Sequence, residues 1–75
     1  MKINKVNAII AKCALVESAD IHPNLSLIYD LHMDSIMFTE MICFLEDEFS
    51  VTVAEDDIMK WYCVQDVYNY LKIAQ

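Results

Sequence analysis

The sequence predicts an all-α fold: a small bundle of three longer helices and one short one, with a long loop after the first. Three observations carry this. Apolar residues recur at three- and four-residue steps in three separate stretches. Residues that start helices, Asp and Ser among them, stand just ahead of the second stretch. The one segment that reads as a strand, "SVTV", has no credible pairing partner. The chain has 75 residues, which allows a single domain over residues 1–75. A chain of that length buries only about 60% of its unfolded surface. The 57% of hydrophobic residues is enough to build a core and too many for a disordered acidic tail, despite a net charge of -7.

The first helix is expected over residues 3–16. Ile3, Val6, Ile9, Ile10, Cys13 and Val16 form its apolar stripe. Lys12 interrupts the apolar patch and no small-residue cleavage site follows, so this segment reads as a helix and not a signal peptide. No window approaches the roughly 18 to 20 apolar residues of a membrane span. The expected compartment is therefore the cytoplasm. In "SADIHPNLSLIYDLHMD" the helical rhythm is lost. Pro23 biases His22 away from helical angles, and Asn24 and Ser26 favour turns. Leu25, Leu27, Ile28 and Leu31 are expected to pack this loop down, with a short helical turn among them.

The second helix is expected from Asp34 or Ser35 to Phe49. Phe38, Met41, Ile42, Leu45 and Phe49 share its core face, while Ile36, Met37, Glu40, Cys43, Phe44 and Asp47 lie towards the others. "EDDIMK" reads as a short helix, acidic at its start and basic at its end, as the helix dipole favours. The last helix is expected from Val64 to Ala74, burying Val64, Val67, Tyr68 and Leu71. Trp61 and Phe44 read as packing residues.

Charge and cysteine usage exclude several functions. Lysines occur only at positions 2, 5, 12, 60 and 72, arginine is absent, and every acid except Asp66 lies between Lys12 and Lys60. Such a middle repels phosphate backbones, which argues against nucleic-acid binding, and attracts basic protein surfaces. Cys13, Cys43 and Cys63 are too few and too scattered for a disulfide framework or a zinc site, and read as three reduced, partly buried thiols. The acids of "LEDEFSVTVAEDD" miss calcium-loop spacing, and the glycine such a loop requires is absent. No metal is expected.

Ser35 is the residue with chemistry to explain. As a nucleophile it lacks a G-x-S-x-G elbow, and His22 and His32 read as loop and turn residues. As a plain N-cap it fits the Asp-Ser pair before an apolar run. As an attachment point it also fits, because a phosphoester there would sit at a helix N-terminus.

The surrounding residues favour attachment, through a resemblance. "DSI", Asp34-Ser35-Ile36, resembles the D-S-L type motif of the acyl carrier proteins, whose serine receives 4′-phosphopantetheine from coenzyme A. "NLSLIYDLHMDS" is similar to the family's loop with its D-L-G-x-D-S ending. "EMICFLEDEFSVTVAEDD" is similar to its second helix and the stretch beyond, and "CVQDVYNYL" to its last helix. The resemblance covers nearly the whole chain. His32 stands where the family usually has glycine, Met37 where an acid is common, Ala54 for a frequent proline, and Cys63 for a threonine that caps the last helix.

The resemblance implies an acyl carrier domain that is not itself an enzyme, with Ser35 as the covalent site. The arm would hold acyl intermediates as thioesters for fatty acid, polyketide or related biosynthesis. It implies Asp34 as the neighbour read by a phosphopantetheinyl transferase (a holo-synthase), and Glu40 and Asp47 as acidic contacts for enzymes with basic docking surfaces, such as acyltransferases and ketosynthases. Ile36, Met37 and Cys43 would add an apolar patch. A monomer is expected. Within the carrier class the competitor is an aminoacyl or D-alanyl carrier; outside it, an unmodified acidic interaction domain. The initial methionine and the lack of a flanking linker favour a free-standing carrier.

Overall fold

The computed structural model describes residues 2–72. Four α-helices follow in order: α1 (Lys2–Ala14), α2 (Ser35–Phe49), α3 (Glu55–Ile58) and α4 (Val64–Tyr70), with a 3-10 turn at Ser18–Asp20. Among the described residues there is no strand; one isolated antiparallel bridge joins Ser26 to Cys63. The expected all-α bundle is therefore what forms, and "SVTV" makes no strand: Ser50 turns the chain out of α2 and residues 51–53 are irregular.

One core serves all the elements. Val6 and Ile10 from α1, Leu27 from the loop, Met41 and Leu45 from α2, and Val64, Val67 and Tyr68 from α4 are fully or almost fully buried. Burying each aliphatic side chain contributes about 1.5–3 kcal/mol. Phe38, Ile42 and Phe49 pack on this core half-buried, as their position on α2 predicts. The Tyr68 hydroxyl donates to Asn7 Oδ1, tying α4 to α1. Burial pushes the Tyr68 hydroxyl above its ordinary pKa, and the bond to Asn7 partly opposes this.

Helix ends differ most from expectation. α1 stops at Ala14, because Leu15 takes φ 60° and Val16 N–H turns back to the Ala11 carbonyl at 3.0 Å. Val16 is thereby carried off the stripe to the surface. α2 closes in the same way: Ser50 has φ 53°, and Val51 N–H reaches the Glu46 carbonyl at 3.3 Å. α4 ends at Tyr70 and Lys72 takes φ 56°; the expected end at Ala74 lies outside the described residues. α3 stops short of Lys60, so its dipole is matched by acids at the start and by no base at the end.

The first loop is packed as expected, with adjustments. Leu27 and Leu31 are buried and Leu25 half-buried, but Ile28 stands exposed. The helical turn expected within the loop forms where Asp30 N–H bonds the Ser26 carbonyl at 3.1 Å, and Leu31 N–H closes it on the same carbonyl at 3.0 Å. A separate 3-10 turn stands ahead of it at Ser18–Asp20. His32 follows the helical turn with φ 55°, a left-handed bend that glycine takes most freely.

Asp66 fixes the start of α4. Its Oδ2 accepts from Tyr62 N–H at 2.8 Å, from Cys63 N–H at 3.1 Å and from the Cys63 thiol at 3.6 Å. The Tyr62 bond, ahead of the Cys63 bonds and against partial burial, holds the Asp66 carboxyl below its usual pKa. A carboxyl lowered by folding stabilises the native state above its unfolded pKa of about 4, and loses that contribution as pH falls through the lower folded value. Asp66→Ala is thus expected to cost about 1–2 kcal/mol at pH 7. Urea titrations of both proteins should show the difference shrinking towards pH 3; an equal difference at both pH values would assign the loss to something other than the carboxylate.

Candidate functional site

α2 begins at Ser35 because Asp34, and not the serine, caps it. Asp34 has extended angles (φ -99°, ψ -178°), and its Oδ1 accepts from Met37 N–H at 2.9 Å. Its carbonyl takes the first helical bond, from Phe38 N–H at 2.9 Å. Ser35 is the first helical residue and is exposed. Its carbonyl accepts from the Thr39 hydroxyl at 2.8 Å, but no described residue bonds its own hydroxyl. Of the two candidate caps, the aspartate does that work, and the serine is left exposed beside it.

The surroundings suit a phosphoester on that oxygen. The N–H groups of Ser35 and Ile36 have no carbonyl one turn behind them, and the positive end of the dipole of a 15-residue helix lies here. Asp34 sits beside the serine, with one carboxylate oxygen committed to Met37.

Ile36, Glu40, Cys43 and Asp47 follow at steps of four, three and four, and all are exposed. They form one continuous outer stripe running down from the serine. Glu40 and Asp47 have no ion pair among the described residues. The other two acids of α2 are engaged by the fold. Glu46 Oε2 accepts from Val53 N–H at 2.9 Å, pinning the α2–α3 connection, and Glu48 lies 3.8 Å from the Lys5 ammonium in an exposed pair. Met37 does not join the stripe: it is half-buried and packs against the core.

Phe44 lies on the flank facing α1, with the Lys12 ammonium 4.7 Å from its ring centre. With Ile9, Asp47 and Glu48 it lines an open cleft that does not include Ser35. Cys13 is buried in α1, and burial, with Glu40 adding to it, pushes its thiol above the ordinary pKa. All three cysteines are free thiols; Cys43 is exposed and Cys63 half-buried. His22 and His32 are both exposed, one before Pro23 and one in the bend. Among the described residues no helix is long and apolar enough to cross a membrane.

Two exposed aromatic residues carried no local signal. Tyr29 and Tyr62 are 82% and 74% exposed. Leu27 N–H bonds the Tyr62 carbonyl at 2.8 Å, and Met33 N–H bonds the Leu27 carbonyl at 3.0 Å. That relay leads from Tyr62 to within two residues of Ser35. It joins segments that no periodicity connects.

Residues 4–71 match the family model described as "Phosphopantetheine attachment site". The chain is 35% identical over 71 residues to an acyl carrier protein of Nitratidesulfovibrio vulgaris, covering 95% of this chain and 93% of that one. It is 36% identical over 70 residues to an acyl carrier protein of Chlamydia caviae, covering 93% and 91%. A solved structure from Mycobacterium tuberculosis, provisionally described as an acyl carrier protein, superposes with a TM-score of 0.85 at 30% identity, over 93% of this chain and 95% of that one.

Proposed function

The chain belongs to the acyl carrier protein family, whose members bear a covalent 4′-phosphopantetheine, and from that premise we propose that Ser35 is the residue that takes the arm. One observation carries the assignment. Ser35 presents an exposed, unbonded hydroxyl at the first position of α2, while Asp34 supplies the cap that the serine would otherwise provide. Ser35 Oγ bonds to the phosphorus that bears pantetheine in coenzyme A. The phosphoanhydride bond breaks, adenosine 3′,5′-bisphosphate leaves, and the hydroxyl proton passes to a base of the transferase. The helix-start N–H groups of Ser35 and Ile36 then face the new phosphodiester.

The arm supplies a terminal thiol that holds an acyl group as a thioester. The bundle anchors and displays it and leaves bond-making to other enzymes. Those enzymes read the outer stripe of α2: Glu40 and Asp47 meet basic residues, Ile36 and Cys43 give an apolar centre, and Met37 backs the stripe from the core. Attraction between this acidic face and basic partners speeds their encounter and weakens with salt. Fatty acyl or polyketide-type intermediates are the cargo this reading favours, handled by acyltransferase- and ketosynthase-type enzymes in the cytoplasm.

Incubation with coenzyme A and a broad-specificity phosphopantetheinyl transferase tests the assignment. The intact mass is expected to rise by one phosphopantetheine, and peptide mapping to place it on Ser35. No gain, or a gain on another residue, would sink the proposal.

A further inference from the structure

We propose that Tyr29 and Tyr62, with Ile28, form a second docking patch beside Ser35 for the enzymes that work on the serine and its arm. These enzymes are expected to carry apolar residues at their entrance, ringed by lysine or arginine. The inference rests on Ser35 being the attachment site.

The first support is that the fold fixes the backbone of these residues and makes no use of their rings. Tyr29 N–H bonds the Ser26 hydroxyl at 3.0 Å; Tyr62 N–H bonds Asp66 and its carbonyl accepts from Leu27. Both rings nevertheless stand in water, and Ile28 beside Tyr29 is 51% exposed. Exposed single apolar residues are ordinary; a group of them anchored on hydrogen-bonded neighbours is not. Tyrosine is also among the residues that contribute most at protein interfaces, because the ring buries large area and the hydroxyl keeps its polar contact.

The second support is position. The Ser26–Cys63 bridge and the Leu27–Tyr62 bond bring the loop holding Ile28 and Tyr29 against the segment holding Tyr62. The Met33–Leu27 bond joins both to the residues immediately before Ser35. The outer stripe of α2 leaves the serine on the helix side, with Ile36 69% exposed at its head. The loop that carries Ile28 and Tyr29 runs into the serine from the other side, tied to the Tyr62 segment by backbone bonds. An enzyme that draws in the arm covers both sides at once.

Charge selects the occupant. Asp30, next to Tyr29, and Asp34, next to Ser35, are both exposed, and they outnumber the one cation close in sequence, Lys60 ahead of Tyr62. An apolar centre with an acidic rim matches an apolar centre with a basic rim. A second copy of this chain, also carrying a net charge of -7, is repelled from the same patch.

The test uses the transferase as the first such enzyme, with coenzyme A, and compares the parent with the double substitution Tyr29→Ser, Tyr62→Ser and with Tyr29→Phe, Tyr62→Phe. The serine variant is expected to melt with the parent and to lose about tenfold or more in kcat/KM, carried by KM. The phenylalanine variant is expected to stay within about threefold, since it keeps the ring area. Unchanged kcat/KM in the serine variant overturns the patch while leaving the assignment of Ser35 standing. A loss carried by kcat with KM unchanged also overturns it, because docking is then intact. A parent that takes no arm overturns both.

Discussion

Ser35→Ala is expected to take no phosphopantetheine at all and to melt where the parent melts. The two outcomes come from one geometry. The hydroxyl is the only atom removed, and no described residue bonds it. The cap of α2 is the Asp34 carboxylate, which the substitution leaves on Met37 N–H. Alanine is a better helix former than serine by about half a kcal/mol, so stability is expected to stay level or rise slightly. Intact mass after transferase treatment reads the first outcome and thermal denaturation the second. Retained loading would mean that the arm goes elsewhere. A loss of more than about 1 kcal/mol would return the serine to the capping role that Asp34 holds.

Trp61→Ala is expected to destabilise the bundle by about 3–5 kcal/mol, a large part of the 5–15 kcal/mol that holds a typical domain. Trp61 is 6% exposed and meets Tyr70 edge to face, with ring centres 5.4 Å apart and planes at 69°. Tyr70 in turn donates its hydroxyl to the Thr52 carbonyl at 3.3 Å. The pair therefore clamps both flanks of α3 against α4, and α3 buries no residue of its own. In urea titrations followed by circular dichroism the midpoint should fall steeply. Hydrogen exchange should show the α3 amides losing protection first. Trp61→Phe, which keeps a ring, should recover about half of the loss. A cost below about 1 kcal/mol for the alanine would mean the indole is not part of the core.

Much of this was legible in the chain, where one local rule decides each feature. The core face of α2 follows from the spacing of Phe38, Met41, Ile42, Leu45 and Phe49, and the outer stripe from Ile36, Glu40, Cys43 and Asp47. Met37 falls on the border between the two faces, and only packing decides which side holds it. Asp34 and Ser35 are equally good caps by residue type; the backbone angles of Asp34 separate them. The first helix was read too long, to Val16, because the punctuation that normally marks a helix end is missing. Glu46 on Val53, Tyr68 on Asn7 and Leu27 on Tyr62 join residues of different segments, so no periodic pattern announces them.

The missing punctuation is glycine, of which the chain has none. Leu15, His32, Ser50 and Lys72 hold the left-handed angles that glycine would take freely. Each side chain adds strain to the native backbone, on the order of 1 kcal/mol. Each also denies the unfolded chain the extra freedom that glycine would give it, which returns a comparable amount. Part of this bundle's stability therefore resides in its unfolded ensemble, as conformations a β-carbon forbids.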